Sequence, residues 1–224
     1  MIPPILHHVW PGRDPFRREF FDFRATWMRY HPDWSFLFWR LTQPGTDAPV
    51  DDPEVAELLA DGRYSAVVKS DILRLHALLK HGGIYVDTDF ECLKSFNELL
   101  GMPTGFFCGA EDDKFLCPSL LAATPGHAFV QALRDAAFAR LRASTPEHCN
   151  KHPNEVTGPF LLTEMAHGRK DITVYPPHYF YPVSYKERHK LRAPTPGAYA
   201  KHHWNGTSPS GWTQRPHIGV SATR

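Results

Sequence analysis

The sequence predicts an α/β domain in which helices pack against a sheet, and three observations support this fold class. Short apolar runs at 5–10, 34–39 and 84–86 have the length and composition of buried strands. Helical patterns of apolar residues lie between them at 16–30 and 66–80. Strands and helices that alternate along a chain are typical of layered α/β domains. A chain of 224 residues is long enough for one such domain with a sizeable core.

The individual elements follow from breakers and periodicity. The first strand ends at Pro11-Gly12, and the helix over 66–80 ends at Gly82-Gly83, because glycine readily adopts the left-handed conformation at a helix C-terminus. A helix over 53–60 begins with proline in its first turn. The remaining predicted elements are a strand at 105–110, helices at 125–142 and 159–167, polar loops at 42–53 and 145–153, and short strands and loops over 171–224.

Composition and charge argue against several classes of function. Lys and Arg number 25 against 24 Asp and Glu, so the sequence predicts no binding to nucleic acid and no global attraction to an anionic membrane. The four cysteines lack CxxC spacing, which favours reduced core thiols over a zinc site or a disulfide framework. There is no signal-peptide pattern and no apolar run of about 20 residues. The sequence therefore predicts a soluble cytoplasmic protein without a transmembrane segment, either free or peripheral at the inner membrane face.

The triplet Asp87-Thr88-Asp89 follows directly after the apolar strand at 84–86. Open α/β sheets place their ligands at this end of a strand. In an extended triplet the two carboxylates point to the same side, where their oxygens suit Mg²⁺ or Mn²⁺ and a diphosphate. A divalent cation there stabilises the charge of a departing nucleoside diphosphate. A DxD triplet alone is common, and a solvated loop with acidic caps is the alternative.

Two further sets of residues support a ligand site beside this triplet. Asp71 and Arg74 lie three residues apart, hence on one face of the preceding helix, where they form either a structural ion pair or a polar rim for sugar hydroxyls. Trp10 ends the first strand, where its flat ring either stacks on a nucleobase or belongs to the core.

Two stretches resemble glycosyltransferase family 32. The first is Ile2-Pro3-Pro4-Ile5-Leu6-His7-His8-Val9-Trp10-Pro11-Gly12, followed by Trp27, Pro32 and Trp39. The second runs from Ser70-Asp71-Ile72-Leu73-Arg74 through Gly82-Gly83-Ile84-Tyr85-Val86-Asp87-Thr88-Asp89 to Glu91-Cys92-Leu93-Lys94. The strong similarity covers about 2–100, with weaker similarity at 157–159 and 199–204. The family includes fungal Golgi α-mannosyltransferases, animal α-galactosyl- and α-N-acetylglucosaminyltransferases and bacterial capsule and lipopolysaccharide enzymes, and its core is related to clostridial glucosylating toxins.

The resemblance implies a single domain of the GT-A type, with a Rossmann-like, nucleotide-binding mixed sheet flanked by helices. The donor-binding core would cover about 2–115, and the acceptor side with a C-terminal lid about 116–224. It also implies a UDP- or GDP-sugar donor, a divalent metal (Mn²⁺ or Mg²⁺) and retention of anomeric configuration. The acceptor would be a glycan, a lipid-linked glycan or a protein, as in polysaccharide biosynthesis.

The resemblance also assigns expected roles to individual residues. Val9 and Trp10 would bracket the nucleobase, and Asp71 and Arg74 would bind hydroxyls of the donor sugar. In the Asp87-Thr88-Asp89 motif, Asp89 would ligate the metal directly, and Asp87 would contact the ribose and sugar or reach the metal through water. A late histidine, His202 or His203, would close over the diphosphate, with His202 the better aligned of the two. The family's late serine and tryptophan would correspond to the displaced Ser208 and Trp212, in a lid that contacts the β-phosphate.

The catalytic route is less constrained. The sequence identifies no residue as a nucleophile, which favours front-face attack over double displacement. Glu111, with Asp112 and Asp113, is a candidate to line the sugar site, the alternative being a solvated acidic turn. Thr157 and Gly158, at the start of a helix, would offer backbone amides to the donor or acceptor. Two rival interpretations are a metal-dependent phosphohydrolase that uses Asp87, Asp89 and Glu91, and a catalytically silent nucleotide-sugar-binding module.

Overall fold

The computed structural model describes residues 1–10, 18–40 and 50–205. Its centre is a six-stranded mixed sheet with the strand order β2-β1-β3-β6-β5-β7. β1 is parallel to β2 and β3, β6 is antiparallel to β3 and β5, and β7 is parallel to β5. A separate two-stranded antiparallel sheet joins β4 and β8. The strands are β1 (Ile5–Trp10), β2 (Ser35–Arg40), β3 (Gly83–Val86), β4 (Phe90–Cys92), β5 (Phe106–Ala110), β6 (Leu116–Ala123), β7 (Thr173–Tyr175) and β8 (Ala200–His202).

The helices cover both faces of the central sheet. They are α1 (Arg18–Tyr30), α2 (Pro53–Ala60), α3 (Ala66–His81), α4 (Ala128–Arg142), α5 (Pro146–Lys151), α6 (Pro153–Val156), α7 (Pro159–Ala166) and α8 (Pro177–Phe180), with 3-10 turns at Asn97–Leu99 and Tyr185–Lys190. One hydrophobic core lies between the sheet and α2, α3, α4 and α7. A second core lies on the opposite face, under α1, α8 and the β4–β8 sheet. None of the described helices has the length and apolar composition needed to cross a bilayer.

The connection from α3 to β3 brings the start of β3 against β1 within the sheet. The Ser65 side chain caps α3 by accepting from the Val68 amide at 3.4 Å, and Gly82 ends the helix with φ = 63°. Gly83 follows with φ = 96°, and a Cβ there would lie 2.4 Å from the Ile5 carbonyl oxygen. Glycine therefore allows β3 to begin in close contact with β1.

Most of the predicted elements are present, and three predictions need correction. The loop predicted at 145–153 is wrong: Thr145 caps α5 and proline begins both α5 and α6, so this polar stretch is helical. The stretch over 171–205 contains α8 and a 3-10 turn besides short strands. β4 and the fully buried β6 were not predicted, because β4 is only three residues long and β6 contains a proline.

Candidate functional site

The Asp87-Thr88-Asp89 motif forms a tight turn at the end of β3. The Phe90 amide donates to the Asp87 carbonyl at 3.2 Å, and the Asp87 amide donates to the Ser119 carbonyl on β6 at 2.8 Å. The expectation of an extended motif is thus corrected, since this hydrogen-bonded turn reverses the chain into β4. The two carboxylates still converge: ligand atoms of Asp87, Asp89 and His202 all lie within 4.8 Å of one another.

Strand pairing brings His202 to this turn. β8 pairs with β4 so that His202 lies opposite Phe90. His202 Nε2 lies 3.0 Å from Asp89 Oδ1, and the Asn205 amide donates to Asp89 Oδ2 at 2.7 Å. Both side chains are buried, with exposed fractions of 5% for His202 and 8% for Asp89. Asp89 is therefore held by two contacts from the C-terminal part of the described chain.

The His202 ring is fixed between two aromatic rings. It stacks on Phe90 with a centroid distance of 4.5 Å, and the Trp204 ring lies 4.0 Å away on a tilt of 52°. Burial alone would raise the pKa of Asp89 and lower that of His202, but their mutual attraction prevails and shifts both in the opposite sense. The His202 Nδ1 atom is buried and has no hydrogen-bond partner among the described residues. The contacts thus favour a charged pair at a fixed position.

This cluster fits a divalent cation. Two carboxylates and one imidazole offer oxygen and nitrogen ligands, the donor set that first-row divalent ions accept. His203 lies elsewhere: its Nε2 contacts Glu91 Oε2 at 2.9 Å, and its ring packs on Phe23 at 4.3 Å. Glu91 also pairs with Lys201 at 3.1 Å. Because residues alternate along a strand, His203 and Glu91 share the side away from the cluster.

A buried ion-pair network borders the cluster on the α3 side. Arg74 Nη2 lies 2.6 Å from Asp71 Oδ1 and 3.8 Å from Asp87 Oδ1. Arg74 Nη1 donates to the Pro118 carbonyl at 2.7 Å, and its guanidinium lies 4.6 Å from the centre of the Tyr85 ring. The Tyr85 hydroxyl donates to Asp87 Oδ1. Arg74 thus links Asp71 to the metal-binding candidates, and Tyr85 is a member of the site that sequence reasoning missed.

Thr157 completes this network with its side chain. Its hydroxyl donates to Asp71 Oδ2 at 2.5 Å. Burial raises the pKa of Asp71, although Arg74 and this hydroxyl oppose the rise. The amides of Thr157 and Gly158 both donate to the Pro153 carbonyl, at 3.0 and 2.9 Å. The expectation that these two amides bind a substrate is therefore corrected, because they are already used within the fold.

Glu111 is a buried carboxyl group at the end of β5. Only 8% of the residue is exposed, and its Oε2 atom has no hydrogen-bond partner within the described part of the chain. Burial and the neighbouring Asp112 raise the pKa of Glu111 to about 7, against an opposing effect of His202. Asp112 instead accepts from the amides of Lys114 and Phe115 and shapes the turn. Of the three acidic residues, Glu111 is the one that the fold buries near the cluster.

The residues predicted to bind the nucleobase lie in or near β1, whereas those predicted to form the lid lie outside the described part of the chain. Val9 is 5% exposed and packs in the core. Trp10 is half-buried at the end of β1, with its ring edge-on to Phe20 at 5.3 Å. Ser208 and Trp212 lie outside the described residues.

Comparison with known proteins relates this part of the chain to glycosyltransferases. A family model described as a glycosyltransferase sugar-binding region containing a DXD motif matches residues 18–105, which include the whole cluster apart from His202. Over this stretch the chain is therefore similar to glycosyltransferases that carry a DXD sugar-binding region, such as those of family 32.

Curated relatives of the chain include two whose names refer to ceramide lipids. Inositol phosphoceramide mannosyltransferase 3 of Schizosaccharomyces pombe is 26% identical over 102 residues, which cover 46% of the chain and 28% of the relative. Lactosylceramide 4-alpha-galactosyltransferase of Mus musculus is 28% identical over 166 residues, which cover 65% of the chain and 43% of the relative. The chain thus spans well under half the length of these relatives.

Solved structures confirm the GT-A fold of the chain. The PaToxG glycosyltransferase superimposes with a TM-score of 0.57 at 17% identity, covering 74% of the chain and 68% of that protein. The ligand-free glycosyltransferase domain of the YGT toxin gives 0.54 at 12% identity, covering 77% and 80%. The UDP-bound form of that domain gives 0.50 at 13% identity, covering 77% and 79%.

Proposed function

We propose that the chain, as one GT-A domain, transfers a hexose from a UDP- or GDP-sugar to a hydroxyl group of a glycan acceptor, with retention of anomeric configuration. The observation that carries this proposal is the Asp87, Asp89 and His202 cluster beside the buried Asp71–Arg74 pair. Relatives that bind UDP or glycosylate a ceramide-linked headgroup support this donor class and a glycan or glycolipid acceptor.

In this proposal each group has a separate task. Asp87, Asp89 and His202 would hold Mn²⁺ or Mg²⁺, which supplies charge stabilisation for the departing diphosphate. Trp10 would stack on the base, and Asp71 with Arg74 would hold donor hydroxyls at a fixed position, because their mutual pairing leaves little freedom. Thr88, Ser208 and Trp212 stay candidates for contact with the diphosphate.

The contacts favour front-face attack. The carboxylates of Asp71, Asp87 and Asp89 are each held by hydrogen bonds from the protein. Burial raises the pKa of Glu111 to about 7, so only about half of this carboxyl group is ionised near neutral pH. The acceptor oxygen would therefore bond to the anomeric carbon on the face that the diphosphate leaves. The acceptor proton would pass to the leaving diphosphate oxygen as the anomeric carbon–oxygen bond breaks.

The test measures nucleotide release from a panel of UDP- and GDP-sugars with Mn²⁺, for the native chain and for Asp89→Ala. We expect release of one nucleotide in the native chain and a loss of about 100-fold or more in Asp89→Ala, because the leaving group loses its charge stabilisation. Asp33→Ala, which alters an exposed acid in the turn after α1, is the matched control and should retain full activity. Equal release by Asp89→Ala would contradict the proposed metal site, and an inverted product anomer by NMR would contradict retention.

The phosphohydrolase interpretation finds less support in the geometry. It required Glu91 beside Asp87 and Asp89, but Glu91 is engaged by His203 and Lys201 on the other side of β4.

A further inference from the structure

A cavity outside the Asp87, Asp89 and His202 cluster has no role in the mechanism described so far. Its volume is about 500 Å³, within the range of sites that hold a small ligand. Its walls come from the turn after β5, the end of α4, and the helices α5, α6 and α7. We call it the α7 cleft, after the helix that provides Phe160, Thr163 and Glu164.

Two segments that line the α7 cleft also carry residues of the candidate site. Val156 lines the cleft, and the next residue, Thr157, holds Asp71. On the other side, Phe115 closes the turn that begins at Glu111, through a hydrogen bond from the Glu111 amide to the Phe115 carbonyl at 2.8 Å. Phe115 directly precedes β6, and the Asp87 amide meets the same strand at Ser119. The segments that line the cleft thus continue into the segments that carry Glu111, Thr157 and the partner of Asp87.

The aromatic lining of the cleft offers a flat apolar surface. Phe115 and Phe160 stack with their centroids 4.8 Å apart and an interplanar angle of 23°. Both rings are half-buried rather than enclosed in the core. The apolar C–H face of a hexose packs on such a surface as other apolar groups do.

The polar lining carries balanced charge. Lys114 and Arg140 are cationic, and Glu155 and Glu164 are anionic. Arg140 is fixed by the Glu155 carbonyl and by Glu164 Oε2, the latter at 2.9 Å. A site for an anion would show an excess of positive charge, whereas fixed donors and acceptors in equal measure suit the hydroxyl groups of a neutral ligand.

We propose that the α7 cleft binds a neutral saccharide, the part of the acceptor that receives the transferred hexose. This inference rests on the proposed transferase function. A volume of about 500 Å³ accommodates a disaccharide. Phe115 and Phe160 provide the stacking surface, and Arg140, Glu155 and Glu164 provide directional hydrogen bonds.

The experiment uses site-specific blocking of the cleft. All four native cysteines are buried, so an introduced surface thiol is the one that a maleimide reaches first. Ser144→Cys places a thiol in the cleft lining, and Ala25→Cys on the exposed face of α1 is the matched control. Binding of lactose, maltose, chitobiose and an α-linked mannobiose is followed by saturation-transfer NMR before and after labelling, and binding of UDP with Mn²⁺ is measured on the same samples.

We expect at least one of the four disaccharides to bind, and labelling of Ser144→Cys to abolish that binding while UDP affinity stays unchanged. Labelling of Ala25→Cys should change neither. Phe160→Ser should weaken the disaccharide by about 10-fold, because one stacking surface is lost. Circular dichroism and the melting temperature show whether this variant is folded, and the labelled Ser144→Cys protein serves where it is not.

Three results would overturn the inference: no binding by any of the four disaccharides, binding that survives the label, or binding of charged saccharides or alkyl chains alone. Failure of the unlabelled native chain to bind either UDP or, in the same assay, GDP would instead count against the proposed function, so the two failures are distinguishable.

Discussion

The two halves of the candidate site are built in different ways. The α3 half consists of Asp71 and Arg74, which one helix places together at a spacing of three residues. The β8 half consists of Asp89 and His202, which are 113 residues apart and meet through the pairing of β4 with β8. The α3 half is thus fixed locally and buried against the core, whereas the β8 half exists only when two distant segments pair. We therefore expect the α3 half to contribute more to stability and the β8 half to contribute more to the proposed metal site.

Removal of Arg74 should cause the largest loss of stability. Arg74→Ala leaves the buried Asp71 without its charged partner, which costs about 3–5 kcal/mol of unfolding free energy. Urea denaturation measures this loss. Arg63→Ala removes a surface ion pair with Asp61 and is the control, for which we expect no resolvable change. A loss with Arg74→Ala no larger than that with Arg63→Ala would show that the α3 half contributes little to stability.

Acidification should reduce stability through the histidines of β1. Burial lowers the pKa of both His7 and His8 to about 4. His7 Nε2 donates to the Gly82 carbonyl and Nδ1 accepts from Trp39, so the fold requires the neutral imidazole. The unfolded chain gains protons below about pH 6.5 and the folded chain only near pH 4, so stability is present above this window and is lost as pH falls through it.

The loss attributable to His7 is on the order of 3 kcal/mol by pH 4. Thermal melts of the native chain and His7→Gln between pH 7 and pH 4 measure it. His7 contacts the α3 side of the sheet, so a pH slope that His7→Gln leaves unchanged would show that this side does not need the neutral imidazole.

The two late histidines provide a matched pair in the β8 half. His202→Ala should weaken Mn²⁺ binding at least about 10-fold, because it removes a ligand of the cluster. His203→Ala should leave Mn²⁺ affinity close to that of the native chain, since His203 contacts Glu91 on the other side. Isothermal titration calorimetry measures both affinities. A larger loss with His203→Ala than with His202→Ala would contradict the proposed metal site at His202.

Thr157→Val tests the hydrogen bond from the Thr157 hydroxyl to Asp71, for which we expect the smallest effect in the α3 half. Loss of the hydroxyl that donates to Asp71 should cost about 1–2 kcal/mol of unfolding free energy. The cost should largely disappear in an Asp71→Asn background, where the charged acceptor is already absent. An undiminished cost in that background would mean that Thr157 acts through packing alone.

The α3 half could be predicted from the sequence because its information is local. The spacing of Asp71 and Arg74 and the position of Asp87 after an apolar strand follow from helix and strand periodicity. The partners of these residues could not be predicted in the same way. Tyr85 and Thr157 reach the site through the packing of separate elements. The sequence around a hydroxyl group does not indicate which distant carboxylate it will contact.

The β8 half shows the limit of such prediction more clearly. The sequence favoured a histidine at 202–203 only through family resemblance, and the pairing of Phe90 with His202 decides which of the two faces the cluster. Asn205 and Trp204, which hold Asp89 and His202, gave no periodic signal. The helices α5 and α6 were mistaken for a loop because capping by Thr145 and proline outweighed the polar composition.

The pairing of β4 with β8 also has a consequence for synthesis. A ribosome completes Asp71, Arg74, Asp87 and Asp89 well before His202, which follows Asp89 by 113 residues. At ordinary rates of translation this interval lasts roughly 6 to 20 s. During that time the emerging polypeptide has two carboxylates but not the imidazole, so a product that stops before β8 would lack the assembled cluster.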